Sequence, residues 1–184
     1  MSMARPARPR VDPDPEALAQ ARGQYTANVT STLALHPELH AGFSPLGSAL
    51  VNDGITPRRQ RELVILRTGW NCGAVYEFGQ HTIFGRENGI TEAEIVAVTR
   101  PLTTFGWAEE DRLLLQMADE LYTDACVTDA TWAKLAERWS PKEIMEFVMA
   151  VGFYFMVSSF LNTFGVQLDE GVPGWPAVGP QQPG

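Results

Sequence analysis

Three side chains stand at spacings that permit proton chemistry. Glu77 and His81 are four residues apart, which on a helix places them on one face and within reach of each other. Glu62 lies on the preceding predicted helix, and a tight reversal at Asn71-Cys72-Gly73 would fold the two helices antiparallel and bring it to the same neighbourhood. Two carboxylates and an imidazole converging in an apolar helical body tune one another. Desolvation and a second carboxylate raise one glutamate's pKa, and a carboxylate partner raises that of His81, moving both toward neutrality where proton transfer works best. The plainer reading is a surface Glu–His pair, with Glu62 bridged to Arg58 one turn before it. His36 and His40, in HPELH, have the spacing of a metal pair, but Pro37 lies between them and no third ligand is evident, so no metal is expected.

The elements that must hold these groups read as helices. Thr56-Pro57 is a cap followed by a first-turn proline, and it opens a helix over about 57–71 with Leu63, Leu66 and Trp70 on one stripe. A second helix, AVYEFGQHTIFGREN, stops at Gly89. Thr91 and Glu94 form a capping box for a short third helix that Pro101 ends. Further helices are expected over about 108–125 and from Thr128-Asp129. Ser140-Pro141 then begins a long stretch that is apolar nearly all round, which belongs at the centre of the core or at a subunit interface. Upstream, LALHPELHAGFSPLGSAL suggests two short helical pieces split at Pro37. No run rich in Val, Ile and Thr alternates with period two, so the class is all-α.

Length and composition bound the rest. The chain has 184 residues, 45% hydrophobic and 20% charged, which suits one domain. Its longest apolar runs look too short and interrupted to span a bilayer, so no membrane partner is expected. Formal charge is −8, and three of the 14 basic residues (Arg5, Arg8, Arg10) sit in the first ten positions, so the body is more acidic still. Such a surface repels phosphate backbones and argues against nucleic acid. The two cysteines, Cys72 and Cys126, have neither redox nor zinc spacing. No secretory or transit signal is recognisable, which makes the cytoplasm the default. Residues 1–13 and 170–184, rich in Pro with Arg or Gly, are expected to be flexible ends around a single domain over 14–169.

Sliding Thr56-Pro57 onto Ser140-Pro141, an offset of 84, superposes Glu62 on Glu146, Trp70 on Tyr154 and Tyr76 on Phe160. This suggests two related helical hairpins about a pseudo-twofold axis. In the second copy Leu161 and Gly165 stand where Glu77 and His81 stand in the first, so any chemistry belongs to the first.

Arg61-Glu62-Leu63, the string Tyr76-Glu77-Phe78-x-x-His81, and Gly89-Ile90-Thr91-x-x-Glu94-Ile95 resemble the carboxymuconolactone decarboxylase family of the alkylhydroperoxidase D-like superfamily. The likeness is densest over 56–95 and extends to about 169. It implies an all-helical fold with a duplicated hairpin, assembly into trimers or hexamers, and an active site near subunit contacts. The superfamily's redox branch carries Glu-x11-Cys-x2-Cys-x3-His. In this chain that frame reads Glu62, Ala74, Glu77, His81, so both redox cysteines are missing. The decarboxylase-like branch has Tyr-Glu-Trp-x-x-His, matched here except for Phe78.

The resemblance implies cofactor-independent, lyase-like proton transfer on a small carbonyl, lactone or aromatic-pathway metabolite, in a homo-oligomer. His81 is then the acid/base, Glu77 its orienting partner or the second acid/base, and Glu62 a relay. Tyr76 and Trp70 are candidate pocket walls, with core packing as their plainer role. Cys72 is a weaker pocket candidate. Arg58 and Arg67 are conceivable anchors for a carboxylate, and the residues before the motif could cover or reshape the pocket. Two alternatives stand beside this: a thiol-dependent antioxidant using Cys72, and a non-catalytic ligand-binding oligomer.

Overall fold

The computed structural model describes residues 5–21 and 27–177. Among these there are nine α-helices and no strand: α1 (Pro15–Ala21), α2 (Ala27–Leu33), α3 (Pro37–Val51), α4 (Arg58–Asn71), α5 (Val75–Glu87), α6 (Glu92–Val98), α7 (Glu109–Asp124), α8 (Asp129–Arg138) and α9 (Pro141–Phe164), with a 3-10 turn at Leu102–Thr104 before α7. The caps set these limits. Thr91 with Glu94 and Ser140 with Glu143 form reciprocal capping boxes, and the Thr128 side chain accepts the Thr131 N–H. His36, read as half of a possible metal pair, caps α3 through a long hydrogen bond from the Leu39 N–H.

Helix α4 is the axis of the molecule, packed by α5, α7 and α9 together. Every residue from Arg61 to Gly69 is buried, so the expected single stripe of Leu63, Leu66 and Trp70 becomes a helix enclosed on all sides. Val64 faces the cluster of Leu114, Met117, Phe147 and Val151; Leu63 and Leu66 face Phe78, Ile95 and Val98; Ile65 faces Tyr76, Phe153 and Tyr154. Its buried charges are all answered. Arg67 reaches Asp119 at 2.6 and 2.8 Å and the carbonyls of Val98 and Arg100. Arg61 donates to the Val51 carbonyl at 2.7 Å and faces Glu146 at 3.4 Å.

Helix α9 departs from the expectation of burial all round. Its inner side, including Phe147, Val151, Tyr154 and Leu161, is buried, while Met145, Met149, Phe155 and Met156 are exposed. By length and composition α9 could cross a membrane, contrary to the sequence reading, yet half of its most apolar window is buried within the fold. It also runs unbroken through Val157 and Ser158, which align with the break between α4 and α5, so the related second stretch is straightened into one helix.

The described parts of both expected flexible ends make contacts with the helical body. Arg5 donates to the Cys72 carbonyl at 2.7 Å, and the Arg10 N–H to the Phe164 carbonyl at 2.9 Å. After α9 the chain crosses α5 at Gly79, where any side chain would run into the Pro173 carbonyl and Val172. Trp175 then packs on Trp70 and Phe78 at ring-centre distances of 5.2 and 5.0 Å. Residues 1–4 and 178–184 of the expected ends lie outside the described residues.

Candidate functional site

The elbow between α4 and α5 aligns the three polar groups. Cys72 caps α4, Gly73 takes a left-handed φ of 59°, and the Ala74 N–H bonds the Gly69 carbonyl at 2.9 Å. Gly69 faces Glu77 and Phe78 of α5 across this elbow. The result is the antiparallel pairing expected from Asn71-Cys72-Gly73, and it closes a chain of charge. Glu62 Oε2 lies 2.6 Å from His81 Nδ1, and His81 Nε2 lies 2.9 Å from Glu77 Oε1. All three residues are buried, with 3–4% of their surface exposed. The alternative pairing of Glu62 with Arg58 is not formed; Arg58 is exposed at the start of α4.

Burial opposes a charge on His81, but the negative charge and hydrogen bond of Glu62, joined by those of Glu77, outweigh it and raise the imidazole to about 10. His81 is therefore an imidazolium at neutral pH with both ring nitrogens engaged. Tyr154 and Phe84 meet the ring edge-on at 4.7 and 5.4 Å, which fixes its plane. Burial, with Glu77 and Glu62 adding to it, pushes the Tyr154 phenol well above its ordinary range, so that group stays protonated.

Glu77 and His81 line a cleft of about 340 Å³ between α5, α9 and the two helices that precede the motif. Phe43, Tyr76, Phe84, Phe153 and Tyr154 supply aromatic walls. Val29 and Thr30 of α2 and Ser44, Gly47 and Ser48 of α3 form the opposite side, so residues before the motif do shape the pocket. No Lys or Arg lines it: Arg67 is consumed by Asp119 on another side of α4, and Arg58 is remote. The titratable acid and base in its lining are Glu77 and His81, with Glu62 behind the imidazole.

Of the weaker candidates, Tyr76 is a wall, but Trp70 and Cys72 are not. Trp70 packs between the tail and the core, as its plainer reading had it. Cys72 is buried at the elbow, and that burial pushes its thiol up to about 11, far from a reactive thiolate.

Two residues missed in the sequence complete the site. Asp169, from the segment after α9, accepts the Tyr76 hydroxyl at 2.5 Å, the Gln80 side-chain N–H at 2.9 Å and the Asn28 N–H at 2.9 Å. Burial raises its pKa, against the pull of the Tyr76 and Asn28 hydrogen bonds. Gln80 lies one residue before His81, lines the cleft, and keeps its buried Oε1 without a hydrogen-bond partner. Only its position on the helix face of Glu77 and His81 could have flagged it; nothing in the sequence ties Asp169 to α5.

Residues 37–120 match the model of the carboxymuconolactone decarboxylase family. Among curated proteins, none matches the chain. Several solved structures share the fold. One is an uncharacterised peroxidase-related protein with an alkylhydroperoxidase AhpD core from Ralstonia eutropha JMP134, at a TM-score of 0.73 and 19% identity, covering 85% of this chain and 87% of that one. A second peroxidase-related protein, from Silicibacter sp. TM1040, gives 0.75 and 14% over 91% and 93%. A cysteine-to-alanine variant of the debrominase Bmp8, in complex with 2,3,4-tribromopyrrole, gives 0.73 and 14% over 89% and 94%.

Proposed function

From a chain that belongs to the carboxymuconolactone decarboxylase family, on an alkylhydroperoxidase D-like fold, we propose an enzyme that performs cofactor-independent proton transfer on a small, uncharged cyclic carbonyl, lactone or aromatic compound. The observation that carries this is the buried Glu62–His81–Glu77 chain ending in an aromatic cleft. The roles shift from those expected. With both nitrogens of His81 held, Glu77 is the group that exchanges a proton with substrate; His81 relays, and Glu62 anchors the imidazolium. Removal of a proton beside a carbonyl leaves enolate charge, and the nearby imidazolium stabilises it.

No Lys or Arg lines the cleft to anchor a free carboxylate, and the imidazolium is already held between two carboxylates, so decarboxylation of an anionic acid fits less well than proton transfer on a neutral ring. The complex of the debrominase variant with 2,3,4-tribromopyrrole is consistent with that shape of ligand. The thiol alternative loses support because Cys72 is outside the cleft with its thiol raised. Self-association is part of the proposal, through the exposed Met145, Met149 and Phe155 face of α9.

The test follows deuterium uptake from D2O by NMR across a panel of neutral γ-lactones, cyclic ketones and hydroxylated aromatics. Exchange or turnover of at least one compound is expected, falling at least 100-fold in Glu77→Gln. Turnover that survives Glu77→Gln and His81→Ala, or none across the panel, defeats the reading.

A further inference from the structure

A second cavity, of about 400 Å³, adjoins the cleft and has no part in the proton chain. Its lining is apolar apart from Glu38, with Leu33 from α2, Leu39 and Leu46 from α3, and Met156 and Phe160 from α9. It shares Val29, Phe43, Phe153 and Val157 with the cleft, so the two are one trough with a saddle. Phe43 and Phe153 make the saddle, stacked at 4.9 Å with an interplanar angle of 29°.

Helix α3 is glycine-bearing on this trough. Glycine in a helix interior is destabilising relative to alanine. Gly47 makes room for Phe153, whose ring would lie 3.3 Å from an added Cβ, while Gly42 faces open space in the second cavity. The polar end of the trough holds one further unmet group: Gln80, 3% exposed, whose Nε2 is fixed on Asp169 while its Oε1 has no partner. A buried acceptor left open beside a carboxylate calls for a ligand O–H or N–H.

We infer that the natural ligand is amphipathic: a ring bearing a hydroxyl or N–H that meets Glu77 and Gln80, with an apolar extension running over the Phe43–Phe153 saddle into the second cavity. This deepens the proposed function and rests on it for the placement of the polar end. A second copy of the chain is the competing occupant. Continuity with the cleft through four shared walls favours the ligand, and the most exposed apolar residue of α9, Met145, lies outside the cavity.

The probe is a series of para-alkylphenols from p-cresol to p-octylphenol, titrated calorimetrically into the wild type, Gly42→Phe and Gln80→Met. Burial of each methylene should tighten wild-type binding about fourfold until the cavity is filled. Gly42→Phe, which projects into open space and favours helix, should cut that gain to below about 1.5-fold per methylene. Gln80→Met should weaken every member of the series by a similar factor of about 5–10. A flat wild-type series, absence of binding, or a gain that persists in Gly42→Phe overturns the inference. So does an oligomer that Gly42→Phe dissolves in sedimentation, which assigns the cavity to a second copy. A steep, Gly42-dependent series in a protein without turnover leaves the ligand class standing and removes the enzyme; turnover with a flat series does the reverse.

Discussion

Helices α4 and α9 lie against each other, and their composition and burial run in opposite senses. Helix α4, RRQRELVILRTGWN, is rich in charge and is enclosed from Arg61 to Gly69, whereas α9 is apolar nearly throughout and leaves a methionine face exposed. The difference shows that centrality follows from paired charge as much as from apolarity. Each buried ion of α4 has a partner fixed on another element: Glu146 of α9 for Arg61, His81 of α5 for Glu62, Asp119 of α7 for Arg67. Unpaired, any of them would keep the helix out of the core.

The largest effect should come from leaving one such charge alone. Glu62→Ala strips His81 of its nearer partner in a fully buried position and should destabilise the protein by about 3–5 kcal/mol in urea unfolding; a loss under about 1 kcal/mol would mean that the pair contributes nothing to holding α4 at the centre. Arg67→Met should cost about 2 kcal/mol, since the Asp119 side of that pair is partly open to water and Met retains the packing.

The same contrast has a pH signature. His81 keeps its proton up to about pH 10 when folded, and an unperturbed histidine loses it near 6.5. Between those values the native state binds more protons than the unfolded chain, so stability falls as pH rises: the contribution is full below about 6.5 and gone above about 10. Unfolding measured at intervals from pH 6 to 10 should show the gap between wild type and Glu62→Gln closing with pH, and a constant gap would contradict the charged imidazole. The smallest effect belongs to α9's outer face. Met145→Ser and Met149→Ser should change unfolding by no more than about 0.5 kcal/mol per site in dilute protein, yet shift sedimentation toward the single chain; unaltered association would place the contact elsewhere.

Much of this could be read from the sequence where the physics is local. The capping boxes at Thr91 and Ser140, and the elbow at Asn71-Cys72-Gly73, act within a few residues, and the elbow alone sets the register that brings Glu62 to His81. What was hidden is long-range. Asp169 meets Tyr76 and Gln80 across about ninety positions of sequence, Trp175 claims Trp70, and Arg5 reaches the Cys72 carbonyl. The amphipathic sense of α9 was hidden for another reason: methionine and phenylalanine serve a core and an exposed face equally well, so periodicity could not tell its two sides apart.

The crossing of the tail at Gly79 divides the site into two parts. Glu62, Glu77 and His81 all come from α4 and α5, while Tyr76 and Gln80 are held by Asp169, beyond α9, where the chain lies over α5. The charge relay is thus built within one hairpin, and the wall beside it is fastened from about ninety residues away, so the two can be altered separately by substitution.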